Sequence, residues 1–135
     1  EAGATNYYKP MLVPSVIDGP FRVGSIEVVP FVQDHGYSQT LGFRFGPLAY
    51  STDVVRLDDA AFEILAGVDV WIVDCLRKEP HPTHSHLAQT LEWIDRVRPK
   101  RAILTHMSEQ VDYGDLRRIL PDGVEPGYDG LVIHP

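Results

Sequence analysis

Two short runs, Val-Asp-Val-Trp-Ile-Val at 68–73 and Arg-Ala-Ile-Leu at 101–104, constrain this chain more than anything else in it. A strand that is apolar at nearly every position needs cover on both faces, which is the situation of an interior strand. Between the two runs, Leu87, Leu91, Ile94 and Val97 recur at helical spacing and define one buried stripe over residues 84–97. Thr83 is placed to cap that helix, Pro82 and Leu87 to staple its first turn, and Pro99 to close it. The result is a strand–loop–helix–strand unit of an α/β sheet. In open α/β sheets, ligands bind beyond the carboxyl ends of the strands. His84 falls near the end of the first strand and His106 just past the end of the second.

The preceding half of the chain reads as β-rich. Short strands are expected at 12–16 and 26–32, with turns at Asp18-Gly19-Pro20 and at Gly24. Residues 41–45 and 48–51 form a hairpin about Gly46-Pro47. His35 follows the strand at 26–32, and Gly36 gives the backbone room beside it. Asp53 follows the hairpin and reads as a helix cap, a turn residue or a metal ligand. A helix spans 57–66, capped by Asp58 and ended by Gly67. Asp74 ends the run at 68–73. A last helix, capped by Asp112, covers 113–120, and a final strand is expected at 131–133. Tyr7 and Tyr8 imply contact with something. Mixed αβ layers around one core follow from this order.

Composition removes several classes of function. The net charge is -7 and no basic stripe is visible, which argues against a nucleic-acid backbone as main partner. The same charge suits a site that holds cations. Cys75 is the only cysteine, so an intrachain disulfide is excluded, and its apolar neighbours imply a reduced, buried thiol in a cytoplasmic protein. No run of about 18 apolar residues offers a membrane span, and no signal peptide is visible.

Each histidine alone is most simply a hydrogen-bonded core or surface residue. His35, Asp53, Asp74, His84 and His106 nevertheless share one kind of position, at or just beyond strand ends, and one cleft explains that better than five coincidences. Imidazole with carboxylate suits Zn, Mn or Fe. A pair of such ions clamps and polarises a phosphate ester. There is no serine nucleophile elbow, phosphate-binding glycine loop or CxxC pair, so metal-assisted hydrolysis is the leading enzymatic class. Three ligands are too few for two ions.

Six segments in order carry a resemblance: Gln33-Asp34-His35-Gly36, LGFRFGPLAYSTD, WIVDCLR, HPTHSHLAQTLE, PKRAILTHM and GYDGL. Together they resemble the C-terminal half of a metallo-β-lactamase-fold hydrolase. The subgroup they are most similar to contains phosphoribosyl 1,2-cyclic phosphate phosphodiesterase and tRNase-Z-like enzymes. The resemblance runs from about Tyr7 to Ile133. It implies an αββα sandwich, of which this chain holds a mixed sheet with about three helices. It further implies a two-metal site of Zn or Mn, a hydroxide activated by both ions, and a cyclic or linear, nucleotide-like phosphodiester as substrate. By resemblance, His35, Asp53 and His106 are metal ligands, with Asp53 bridging. His84 is the histidine near the scissile phosphate, a proton donor or charge stabiliser. No ligand role carries over to Asp74, which either orients a histidine or serves as a turn or cap. Arg77 meets substrate phosphate or forms a solvated salt bridge. His81, His86 and His134 are not expected to be ligands.

The family's HxHxDH motif, which supplies four ligands, is absent. Residues 1–135 therefore read as the C-terminal half of one domain, inactive alone, whose partner half carries that motif. The other reading is a non-catalytic binding module. With one sheet face left bare, the chain is expected to pair with its missing half or to form a homodimer.

Overall fold

The computed structural model describes residues 12–134. Among them are seven strands and three helices: β1 (Phe21–Val23), β2 (Ile26–Asp34), β3 (Gln39–Phe45), β4 (Leu48–Ser51), α1 (Asp59–Leu65), β5 (Val70–Asp74), α2 (Leu87–Val97), β6 (Arg101–Thr105), α3 (Tyr113–Ile119) and β7 (Val124–Pro126). The strands form one mixed sheet in which spatial order equals chain order. Pairing is antiparallel from β1 to β4 and parallel from β4 to β7. Each helix is the crossover between two parallel neighbours. Because β2, β4, β5 and β6 run the same way, their carboxyl ends meet at one edge of the sheet.

The register separates the two faces. Ala49, Trp71 and Ala102 lie side by side across β4, β5 and β6, as do Ser51, Val73 and Leu104. The apolar members of these rows join Phe31 of β2, Ala61, Phe62 and Leu65 of α1, Trp93 and Ile94 of α2 and Leu116 of α3 in a single cluster. All three helices thus cover one face. Asp58 caps α1 by accepting from the Ala61 amide, and Asp112 caps α3 by accepting from Asp115.

The opposite face carries Val32, Phe43, Phe45, Leu48, Tyr50 and Ile72, with Val32 50% and Tyr50 41% exposed. Large apolar patches on a protein surface are association sites. The 135-residue chain purified alone should therefore dimerise or aggregate in static light scattering. A stable monomer at high concentration would show that this face closes on itself.

Four local expectations differ. Residues 12–16 are not a strand; they are exposed, without a pairing neighbour, and Pro14 has no amide to give one. The last strand is β7, which pairs along the free edge of β6, whereas 131–133 are irregular. Helix α2 begins at Leu87, not His84, and His86 rather than Thr83 holds its N-cap position. Residues 81–86 are instead consumed by tertiary contacts described below. Tyr7 and Tyr8 lie outside the described residues.

Candidate metal centre

The shared carboxyl edge gathers the histidines. His35 follows β2, Asp53 follows β4, Asp74 is the last residue of β5, and His106 follows β6. Asp53 Oδ1 lies 3.9 Å from Nε2 of His35 and 3.9 Å from Nε2 of His106. Both Asp53 (φ 56°) and His106 (φ 62°) adopt the left-handed backbone conformation. Non-glycine residues seldom do so, although Asp and His tolerate it better than most, and such strain collects at functional sites.

His84 stands in the middle of the group. Its ring stacks on His106 at 4.9 Å between centroids and meets His35 edge-on at 4.7 Å. One donor atom from each of His35, Asp53 and His84 falls within 4.8 Å of the others. His84 is thus near enough to be a ligand as well as a proton donor.

Hydrogen bonds select the nitrogen that each ring presents. His35 Nδ1 lies 2.7 Å from the Thr83 carbonyl oxygen, which can only accept. Nδ1 therefore carries the hydrogen, and a neutral His35 offers a lone pair at Nε2, toward Asp53. Gly36 lets this loop approach, because a Cβ there would sit 2.8 Å from the Thr83 side chain and 2.9 Å from the Pro82 carbonyl.

His84 Nδ1 lies 3.1 Å from Asp74 Oδ2, an oxygen that also accepts from the Val54 amide at 3.1 Å. An ionised Asp74 thereby fixes the hydrogen on His84 Nδ1 and frees Nε2. Asp74 is fully buried, and burial raises its carboxyl above the usual carboxylate range, opposed by the Val54 amide and then by His84. Among the described residues Asp74 Oδ1 has no hydrogen-bond partner. The Asp74 backbone carbonyl accepts from Ser85 Oγ at 2.6 Å and Thr90 Oγ1 at 2.8 Å, so the loop carrying His84 is tied to the end of β5.

Arg77 does not join the cluster. Its guanidinium donates to the Glu79 and Pro80 carbonyls of its own loop. His81 lies closer than the sequence suggested: its ring is 5.2 Å from that of His84, and burial and Arg77 lower its pKa. The spacing HPTH hints at such a neighbour only once the loop is known not to be helical. His86 occupies the N-cap position of α2 without a side-chain capping bond, and His134 lies exposed beyond β7.

The donor set suits a borderline divalent ion, with two imidazoles and a carboxylate converging from three strand ends. The group therefore offers donors of the kind such ions take.

A family model described as "Beta-lactamase superfamily domain" matches residues 4–107. The fold superposes on the crystal structure of a new diphosphatase from the PhnP family with a TM-score of 0.83 and 34% identity, covering 86% of this chain and 46% of that one. Human tRNase Z, short form, gives a TM-score of 0.63 at 18% identity over 84% of this chain and 45% of that chain. An octanoyltransferase of Porphyromonas gingivalis (strain ATCC BAA-308 / W83) is 29% identical over 116 residues, 84% of this chain but 24% of that protein. The chain thus spans about half the length of these two structures and about a quarter of that relative.

Proposed function

The chain belongs to the β-lactamase superfamily domain family and carries the metallo-β-lactamase fold, and on that premise we propose that it is the C-terminal half of a two-metal hydrolase of phosphoric diesters. The observation that carries this reading is the placement of Asp53 Oδ1 at 3.9 Å from both His35 and His106. A carboxylate between two imidazoles is suited to being shared by two cations. His35, Asp53 and His106 would hold the ions, Zn or Mn, with further donors supplied from outside this chain. When bound, such a pair stabilises charge on phosphoryl oxygens and makes a water acidic enough to deprotonate near neutral pH.

The chain's own residues supply the proton on the other side of the reaction. In its imidazolium form His84 presents Nε2–H beside His35 and His106 and gives that proton to the departing alkoxide oxygen, returning to the neutral ring. Asp74 holds the ring through Nδ1 and stabilises its protonated form, as a buried carboxylate does behind a catalytic histidine. The diphosphatase at 34% identity supports a phosphoric ester or anhydride as the substrate class. The octanoyltransferase relative is matched over only 24% of its length, and Cys75 is buried with its thiol pushed up to about 12, so it offers no thiolate nucleophile near neutral pH. Among the described residues no helix is long and apolar enough to cross a membrane.

The intact protein should take up two divalent ions by elemental analysis and hydrolyse bis(p-nitrophenyl) phosphate. Residues 1–135 alone should bind Zn or Mn weakly in calorimetry, since three ligands split over two ions leave each underfilled. An intact protein without metal would defeat this reading. Tight binding of two ions by the isolated chain would show that the ligand count is wrong.

A further inference from the structure

Gln33 is a polar side chain with no exposure, set in the face of β2 that packs under the helices. Its Nε2 donates to Thr40 Oγ1 at 3.1 Å and to the Thr52 carbonyl at 3.0 Å. Thr40 Oγ1 in turn donates to the Asp53 carbonyl at 2.8 Å. Two consecutive carbonyls, those of Thr52 and Asp53, are thereby held by one relay that starts in the core. Gln33 Oε1 is buried and has no hydrogen-bond partner among the described residues. Leaving a buried acceptor unpaired costs about 1–3 kcal/mol, so a plain hydrophobic residue would serve the core better. Gly42, directly across from Phe31, leaves the relay its room: a Cβ there would lie 2.3 Å from the Phe31 ring and 2.7 Å from Gln33 Oε1.

We infer that Gln33 and Thr40 are positioning residues that clamp the left-handed backbone of Asp53, so that its carboxylate reaches the His35 and His106 sides at once. The relay makes no hydrogen bond to a histidine. It acts on the two carbonyls that bracket the Asp53 amide, where a left-handed φ would otherwise relax. The inference rests on the two-metal reading above and adds the means by which the shared ligand is aimed.

Thr40→Val removes the hydroxyl and keeps the shape, whereas Thr40→Ser keeps the hydroxyl. In the intact protein, cobalt(II) titration followed by its visible absorption reads the site without activity. Hydrogen-bonding partners behind metal ligands are worth about 10–100-fold in affinity. Thr40→Val should lose about tenfold in cobalt affinity and shift the band, with Thr40→Ser returning both to wild type. Metal-free melting temperatures of the two variants should agree, because a residue that only stabilised the fold would move those instead. Gln33→Met is the second variant, and its cobalt affinity should fall as that of Thr40→Val does. Wild-type affinity and spectrum in Thr40→Val, or in Gln33→Met should Thr40→Val not fold, overturn the clamp alone. A wild-type protein that takes up no cobalt overturns the metal reading and the clamp with it.

Discussion

Replacing His84 with alanine in the intact protein should lower kcat on a phosphodiester about 10²–10⁴-fold, the range lost with a general acid or base, and should leave metal content at the wild-type level. The two nitrogens of the ring are differently placed. Nδ1 is engaged by Asp74 at 3.1 Å, and Nε2 is free beside His35 and His106. A ligand behind which a carboxylate sits and a proton donor behind which a carboxylate sits look alike in geometry. Metal content separates them. His106→Ala should lose both metal and rate, while His84→Ala should lose rate alone. Elemental analysis of the two purified variants beside steady-state kinetics decides it. Metal loss in His84→Ala would make His84 a ligand and leave the proton donor unassigned.

The largest effect on stability should come from Trp71→Ala, at about 3–5 kcal/mol, the usual range for truncating a buried tryptophan. Trp71 has no exposure, and its neighbours across the sheet are Ala49 and Ala102, whose small side chains leave the room that the indole fills. Its Nε1 donates to Ser51 Oγ at 3.0 Å in a buried setting. Truncation would open a cavity in the buried cluster and leave the Ser51 hydroxyl without that donor. A whole domain is stable by only about 5–15 kcal/mol, so the variant should sit near the edge of folding. Urea denaturation of wild type, Trp71→Phe and Trp71→Ala reads the series. Phe should lose the hydrogen bond but keep most of the packing. A loss below about 1 kcal/mol for Ala would mean that the cluster repacks around the gap.

What the sequence made legible follows from how local the cause is. The runs at 68–73 and 101–104 announce interior strands because burial on both faces leaves an unbroken apolar run, and β5 and β6 lie there. Asp58 and Asp112 were readable as caps because a cap acts three residues away. β7 was not readable: Val124-Glu125-Pro126 carries no pattern, and it becomes a strand through the edge that β6 offers. Residues 131–133 have the apolar content of a strand and no pairing partner among the described residues. Residues 81–86 misled for a related reason. Thr83 has the chemistry of a cap, but its carbonyl is taken by His35 and its amide by His81. In the candidate site, the histidines and Asp53 stood out by position after strands. The engagement of Asp74 by His84 was readable as one of two options. The relay from Gln33 through Thr40 left no spacing signal, because it joins a core side chain to carbonyls of a distant loop. Arg77 was readable as a phosphate contact or a solvated salt bridge, and its guanidinium donates to two carbonyls of its own loop.

Spatial order equal to chain order gives the sheet an economical history of loop closure. Every strand pairs with the strand made just before it, and each doubling of a closed loop adds only about 0.6 kcal/mol to its entropic cost. The bond from His35 to Thr83 breaks that pattern by joining residues 48 apart in the chain. It ties the antiparallel ribbon of β1–β4 to the helical crossovers at the single edge where both run out. The histidine cluster is therefore the seam between two locally assembled pieces, and it is complete only once both have been made.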